Sequence, residues 1–132
     1  MMPVTQYNSF NFTAGPTNCP NATETVIATT KAISSPFPNA SYGILFAFGF
    51  TTGVGGTTLA VTIRRTSLTG TIVLGPTSFI VVASASQQMT YGAVDAISGE
   101  FASGVWVITL NITGGAAAVS GQNIYSQVIT YQ

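Results

Sequence analysis

Candidates for catalytic chemistry are few in this chain, because only six of its 132 residues carry a charge: Glu24, Lys31, Arg64, Arg65, Asp95 and Glu100. Asp95 and Glu100 flank a predicted connection, where their carboxyl groups could converge on one bond, as glycoside hydrolysis requires. We favour a structural or loop-capping role for both. The chain has no histidine and a single cysteine, Cys19, which excludes histidine-based triads and ordinary zinc sites.

The two adjacent arginines, Arg64 and Arg65, end a predicted strand, so alternation turns one of them to each face. We interpret them as partners of an ion pair with Glu24, Asp95 or Glu100, at the surface or between subunits. Contact with a polar ligand is the alternative. They also belong to the predicted assembly contacts, which are Tyr7, Phe10, Phe12, Arg64 and Arg65.

The remaining motifs point to no cofactor. The glycine-rich segment 53–56 precedes a strand and contains no lysine, so it does not fit a phosphate-binding loop. Three carboxylates are too few for a carbohydrate-binding calcium site. We therefore predict no catalytic residue, no metal, no cofactor and no enzymatic activity. The single Cys19 cannot form an intrachain disulfide, and we expect a free thiol in preference to an interchain bond.

Four asparagines lie in N-x-[ST] sequons, the acceptor pattern for N-glycosylation. Chance matches are expected in a chain so rich in Asn, Ser and Thr, and the N-terminus lacks the charged start and apolar core of a signal peptide. The best candidate lies in a predicted loop after two prolines. The possible glycosylation sites are therefore Asn39 first, then Asn11, Asn21 and Asn111.

The composition favours assembly over a free monomer. Charged residues make up 5% of the chain, against about 25% in ordinary globular proteins, and the formal net charge is zero. Solubility must then come from uncharged polar residues, or the surface must be buried by association. No basic patch exists for nucleic acid, and no apolar run is long enough for a membrane span. So few ionisable groups also predict a stability that depends weakly on pH.

The stretch 41–65 is the one that must organise the fold, and it opens with a run at 41–50. Its large residues alternate with small ones, so one face of a strand carries Tyr42, Ile44, Phe46, Phe48 and Phe50. A second strand, 57–65, follows the glycine-rich reversal at 53–56, with Leu59, Val61 and Ile63 on one face. We predict a long β-hairpin whose aromatic face is covered by a second sheet or by another chain.

Short β-rich runs continue along the chain, separated by Gly, Pro and Ser signals. A turn at 67–70 precedes a strand at 71–74, which Gly75-Pro76 should end, and Phe79 to Ala83 predicts a strand covered on both faces. The other predicted strands are 24–33, 89–97, 105–112 and 123–131. About eight strands without helical periodicity predict an antiparallel two-sheet sandwich, and we prefer a jelly roll to an immunoglobulin-like fold. Residues 1–22 are predicted to form an extended N-terminal arm, and residues 23–132 the sandwich domain.

Several stretches together resemble a known family: the glycine-punctuated hairpin, VTIRR with the turn after it, VWVITLNITGG and the aromatic closing strand. This pattern is similar to the compact jelly rolls of the tumour-necrosis-factor-like superfamily, and more to small viral structural proteins of that shape than to secreted cytokines. The resemblance implies a trimeric or higher symmetric assembly and a capsid, decoration, turret or fibre-head role. The basic arm of genome-packaging coat proteins is missing, which favours an outer or minor position.

We therefore predict a structural virion protein, assembled in the host cytoplasm and exposed on the particle exterior. Its expected partners are copies of itself and other shell proteins, without direct contact with nucleic acid. Two alternatives remain open. One is a head that binds a host-surface glycan or receptor through aromatics such as Tyr91, Phe101 or Tyr125. The other is a subunit of an extracellular surface filament that exchanges its N-terminal strand.

Overall fold

The computed structural model describes residues 6–13, 17–35, 39–52, 57–81, 86–97, 101–114, 117–119 and 124–131. Within these ranges every regular element is a strand. The strands are β1 (Gln6–Thr13), β2 (Thr17–Cys19), β3 (Thr25–Thr29), β4 (Ile33–Ser35), β5 (Ser41–Thr52), β6 (Thr57–Arg65), β7 (Ile72–Val81), β8 (Ser86–Ala96), β9 (Phe101–Gly104), β10 (Trp106–Thr113), β11 (Ala117–Val119) and β12 (Ile124–Tyr131).

The strands form two facing antiparallel sheets. The larger sheet has the order β1-β12-β5-β8, with the short β11 and β2 extending it beside the far end of β5. The smaller sheet has the order β3-β10-β6-β7, and β4 pairs with β9 as a separate ribbon. The chain therefore crosses repeatedly between the sheets, as it does in a jelly roll. The predicted antiparallel jelly-roll sandwich is confirmed, with eight principal strands and four short ones.

The predicted aromatic face of β5 forms the centre of the core. Tyr42, Ile44, Phe46, Phe48 and Phe50 are each 0 to 4% exposed. The smaller sheet of the same chain covers them, since its buried residues join the same cluster and the rings of Tyr42 and Trp106 lie 5.1 Å apart. Removing this much apolar surface from water is the main force that holds the sheets together.

The predicted hairpin between β5 and β6 is wrong, because these strands lie in different sheets. Hydrogen-bonding neighbours β12 and β8 flank β5, whereas β10 and β7 flank β6. Each strand has one strongly apolar face, and the two faces bury more surface opposite each other than side by side in one sheet. The segment 53–56 between them lies outside the described residues.

The predicted break at Gly75-Pro76 is also wrong, because β7 continues through it as one strand. A bulge accommodates the pair, since Val61 faces Thr77 while Ile63 faces Leu74. Gly75 has a φ of +103°, and a Cβ there would lie 2.5 Å from the carbonyl oxygen of Val61. Glycine is the residue that tolerates this conformation.

The run starting at Phe79 is not covered on both faces, as was predicted. It belongs to β7, which lies at the edge of the smaller sheet, and Ile80 is 90% exposed. A short apolar run does not distinguish a central strand from an edge strand that presents one apolar face to a partner or to water.

The N-terminal residues predicted as an arm contribute β1 and β2 to the larger sheet. All eight residues of β1 pair with β12, and β1 is an edge strand. The boundary at residue 22 stays a prediction.

We expect Cys19 to be unreactive in the native protein. Its side chain is 1% exposed, and burial raises the pKa of its thiol to about 11, so little thiolate forms at neutral pH. A thiol-specific chromophoric reagent should label it slowly in buffer and completely in denaturant. Labelling at the rate of a free small-molecule thiol would show that the environment of Cys19 is open.

Candidate assembly surface and the charged pairs

Arg65, Asp95 and Trp106 form a clasp that joins the two sheets at one end of the sandwich, with Asp95 and Trp106 buried and Arg65 partly exposed. The guanidinium of Arg65 on β6 donates two hydrogen bonds to Asp95 on β8, from Nε to Oδ2 at 2.8 Å and from Nη2 to Oδ1 at 2.6 Å. The indole Nε1 of Trp106 on β10 donates to the same Oδ2 at 2.8 Å. Asp95 therefore binds two residues of the opposite sheet.

Arg64 and Glu24 form a second pair on the outer face of the smaller sheet. Nε of Arg64 donates to Oε1 of Glu24 at 2.7 Å, and Nη2 donates to Oε2 at 3.1 Å. Thr109 of β10, the strand between them, donates its hydroxyl to Oε1 at 2.7 Å. The ion pairs predicted for Arg64 and Arg65 are confirmed and lie within one chain. Whether either arginine also contacts a neighbouring subunit stays a prediction.

The pKa of both carboxyl groups lies below the ordinary value. Burial raises the pKa of Asp95, but hydrogen bonds from Arg65 and Trp106, together with the charge of Arg65, outweigh it. For Glu24 the hydrogen bond from Arg64 is the largest influence, opposed by burial and assisted by Thr109.

These pKa shifts predict an acid limit to stability. A carboxyl group whose pKa is lower in the folded chain stabilises the fold above its unfolded pKa, about 3.9 for Asp and 4.3 for Glu, and loses this effect as the pH falls. We expect the melting temperature to stay nearly constant from about pH 8 to pH 5 and to fall below about pH 4. Calorimetry across this range measures it, and a maximum near pH 6 would contradict the assignment.

The carboxylates considered for a catalytic pair are not brought together in the described residues. Glu24 and Asp95 are each engaged by an arginine, and Glu100 lies outside the described residues. In the described part of the chain no three His, Cys, Asp or Glu side chains lie close enough to hold a metal ion. No helix long and apolar enough to cross a membrane occurs among those residues either.

The four sequons lie in different environments. Asn39 is exposed in a turn with a φ of +58°, and Asn21 accepts a hydrogen bond from the amide of Gly114. Asn11 is partly buried and donates from Nδ2 to the carbonyl of Thr29 at 2.9 Å, and Asn111 has its Oδ1 buried. Exposure therefore favours Asn39 and Asn21 as acceptors, and modification of any of the four stays a prediction.

The outer face of the larger sheet carries exposed apolar side chains beside uncharged polar ones such as Asn8, Gln127 and Thr90. Phe10 and Phe12 of β1 are 50% and 60% exposed, and their rings lie 5.9 and 5.5 Å from the ring of Tyr125 on β12. We call these three residues the aromatic ridge. The ridge runs along one margin of the sheet.

The opposite margin of this face, on β5 and β8, carries smaller residues. Gly43 pairs with Val94, Leu45 with Gly92, and Ala47 with Thr90. Val94 is 68% exposed. We call the surface formed by Gly43, Leu45, Ala47, Gly92 and Val94 the flat field.

Ridge and field share one sheet and carry no charge. The registers place Phe12, Tyr125, Ala47 and Thr90 in one row across the four strands, and the described residues of this face are all uncharged. Exposed aromatic and apolar side chains grouped on one uncharged face are typical of an interaction site. We therefore take this face as the candidate functional site.

The sequence identified only part of this face. Phe10 and Phe12, predicted as assembly contacts, lie on it, and the side chain of Tyr7 is outside the described set. Tyr125 was named for a glycan-binding groove, but it belongs to the ridge. Tyr91 of that groove is buried, with its hydroxyl 2.6 Å from Oγ1 of Thr77, and the side chain of Phe101 is not described. Val94 was missed, since only strand order places it beside Gly43.

The fold defines the class of protein as a jelly-roll β-sandwich, and the comparisons place it among known structures. No family model matches the chain, and no curated protein matches it. Two similar solved structures are the infectious bursal disease virus particle (TM-score 0.58, 15% identity) and the VP2 subviral particle of that virus (TM-score 0.59, 13% identity). Each alignment covers 98% of this chain but only 35% and 37% of the viral chain. At such identity the likeness shows the fold alone, and the narrower resemblance to the tumour-necrosis-factor-like superfamily stays a prediction.

Proposed function

We propose that this chain is a structural subunit of a virion, which assembles with copies of itself and with other shell proteins. The observation that carries the proposal is the uncharged outer face of the larger sheet, with its exposed apolar side chains. Exposed to water, Phe10, Phe12 and Val94 would make a monomer prone to association, and covering them stabilises an assembly through the hydrophobic effect.

The electrostatics of the chain support close packing of many copies. Its net charge is zero, and the described carboxylates are neutralised by arginines of the same chain. Subunits of this kind repel one another little, so long-range electrostatic repulsion does not oppose a densely packed shell. The same neutrality leaves no basic surface for the phosphates of a genome, which suits a subunit on the outside of the particle, such as a decoration, turret or fibre-head protein.

The proposal includes the absence of catalysis. Glu24 and Asp95 are bound within the fold, and neither has a second free carboxylate beside it among the described residues. We propose no glycan-binding role, because the buried Tyr91 cannot contribute to an aromatic groove.

The mass of the purified chain in solution tests self-assembly. We expect sedimentation equilibrium to give a discrete oligomer that persists on dilution, and electron microscopy to show particles of uniform size. Peptides of the chain should also be found by mass spectrometry in virions purified from the source culture. A monomer at every attainable concentration, together with absence from such virions, would overturn the proposal.

A further inference from the structure

The larger sheet ends in two unprotected edge strands, β1 and β8. Among the described residues, β12 is the only strand that pairs with β1, and β5 is the only one that pairs with β8. Both pairings keep an unbroken register, over eight and eleven residues. Neither strand contains proline or lysine, and their one charged residue, Asp95, is turned inward and bound by Arg65. Each edge therefore presents an uninterrupted row of backbone groups, which is a template for pairing with another strand.

The edge strands of the smaller sheet are blunted, by contrast. β7 contains Gly75-Pro76 and shifts its register against β6 twice. Proline lacks an N–H and a bulge twists an edge, so each hinders the addition of a further strand. β3 has only five residues, its register against β10 also shifts, and the charged Glu24 and Lys31 lie just beyond its ends in sequence. Features that prevent edge-to-edge pairing of identical chains thus occur on the edge strands of the smaller sheet, but not on β1 or β8.

The exposed apolar side chains of the larger sheet are concentrated on these same two edges. Phe10 and Phe12 on β1 are 50% and 60% exposed, and Val94 on β8 is 68% exposed. Among the described residues of β12 and β5, the most exposed large apolar side chain is that of Tyr131, at 38%. If the sheet continued past each edge, cross-strand neighbours would flank Phe10, Phe12 and Val94 on both sides. Edge pairing would therefore cover the side chains that water suits least.

Strand direction makes the two edges complementary. Three antiparallel pairings connect β1, β12, β5 and β8, so β1 and β8 run in opposite directions. A second copy placed beside the first in the same orientation therefore brings its β8 antiparallel to β1, as every paired strand of this sheet is to its neighbour. Pairing along the whole of β1 supplies about eight backbone hydrogen bonds, within the roughly five to fifteen of a typical interface.

The outer side chains of β1 and β8 also fit one another. β1 presents the large rings of Phe10 and Phe12, whereas β8 presents Gly92 between Thr90 and Val94, all three of them exposed. An aromatic ring on a neighbouring strand is well suited to cover a glycine on an edge strand. Two β8 strands paired together would leave both copies of Gly92 uncovered and all the rings outside the contact. Pairing of β1 with β8 brings the rings and the glycine together.

We propose that β1 of one copy adds to β8 of the next, so that the larger sheet continues from subunit to subunit. This contact rests on the proposed function and names the surface through which the chain assembles. Backbone hydrogen bonds supply the affinity, and the rings of Phe10 and Phe12 beside Gly92 supply the specificity. Because each copy offers β1 at one edge and β8 at the other, the contact repeats head to tail and closes a ring or extends a row of subunits.

Two edge variants and a matched control test this pairing. The β1 variant combines Phe10→Lys with Phe12→Lys, and the β8 variant combines Thr90→Lys with Val94→Lys. Lysine on an edge strand opposes the addition of another strand, so each variant should weaken self-association at least about 100-fold. The control combines Ser78→Lys with Ile80→Lys, which places the same two charges on β7, an edge strand of the smaller sheet. Circular dichroism and melting temperature establish that every variant is folded before sedimentation is measured.

Head-to-tail pairing predicts a specific result on mixing. The β1 variant keeps an intact β8 and the β8 variant an intact β1, so an equimolar mixture should form a one-to-one dimer while each variant alone is monomeric. The β7 control should assemble like the wild type. A mixture that stays monomeric, or a variant that dimerises alone, would overturn the proposal. Assembly of both edge variants like the wild type would do the same, as would an equal loss of assembly in the control.

Hydrogen exchange tests the edge itself. Alternate residues of an antiparallel strand direct their N–H groups to opposite sides, so roughly half of the amides of β8 lie on its free edge. In the wild-type assembly these amides should exchange at least about 10-fold more slowly than in the monomeric β1 variant, whose β8 is unaltered. Equal exchange in β8 would overturn edge pairing, although self-assembly would stand. A monomeric wild type would overturn the proposed function, and this contact with it.

Discussion

Phe46→Ala is expected to destabilise the fold by about 3–5 kcal/mol, the usual cost of truncating a fully buried aromatic side chain. Phe46 is 0% exposed and lies at the middle of β5, beside Tyr91 of β8 and Ser126 of β12. The rigid sheets cannot close over the space that its ring leaves. A domain of this size is stable by about 5–15 kcal/mol, so the loss is a large part of the total. Urea unfolding followed by tryptophan fluorescence measures it.

Phe12→Ala is the matched control for this experiment. It removes the same ring from the outer face of β1, where Phe12 is 60% exposed. We expect a change in unfolding free energy within about 0.5 kcal/mol when the protein is dilute enough to be monomeric. We therefore expect Phe46→Ala to lower the stability of the fold, and Phe12→Ala to weaken self-association. Equal destabilisation by both would contradict the assignment of inner and outer faces.

Asp95→Ala is expected to destabilise the fold by about 3 kcal/mol. The substitution leaves the Nε1 donor of Trp106 buried without its carboxylate and removes the bidentate partner of Arg65. A buried donor that loses its acceptor costs about 1–3 kcal/mol, and the lost ion pair adds less than a fully buried one would, because the Arg65 side chain is 31% exposed. The clasp also joins the two sheets directly, so its loss should appear as a lower unfolding midpoint at neutral pH.

Glu24→Ala provides the comparison for the clasp, because its carboxylate is more exposed than that of Asp95 and binds no buried indole. The side chains of Arg64 and Glu24 are 18% and 27% exposed, against 7% for Asp95. We expect Glu24→Ala to cost about 1 kcal/mol. A double-mutant cycle refines the test, because Trp106→Phe should cost less in the Asp95→Ala background than in the wild type. A loss for Asp95→Ala no larger than for Glu24→Ala would show that the clasp is not a major link.

Alternation of residue types along β5 was sufficient to predict its inner face. A strand has a period of two, and the large residues from Tyr42 to Phe50 all occupy one phase of it, so burial of one decides the burial of the others. The composition likewise predicted an uncharged surface, and the two-sheet class followed from many short strands without helical periodicity. These features are local or additive, and each can be read without knowing which strands are neighbours.

Strand partners could not be predicted in the same way. The nearest strand along the chain was taken as the partner of β5, whereas its true neighbours, β12 and β8, lie far away in sequence. Alternation of residue types shows which face of a strand is buried but not which strands are its hydrogen-bonding neighbours, so the pattern does not distinguish a hairpin from strands in facing sheets. The strand break predicted at Gly75-Pro76 was wrong for a similar reason. A bulge accommodates both residues, and this bulge exists only because β6 lies alongside β7.

The candidate site shows the same division. The sequence alone predicted that aromatic residues of the N-terminal segment make contacts and that Arg64 and Arg65 pair with carboxylates. It also predicted the absence of charge that makes association favourable. Only the tertiary structure placed Tyr125 beside Phe10 and Phe12, turned Tyr91 into the core, and paired Gly43 with Val94. The physical reason is that residue type determines what a side chain needs to contact, whereas strand order determines which residues are close enough to supply it.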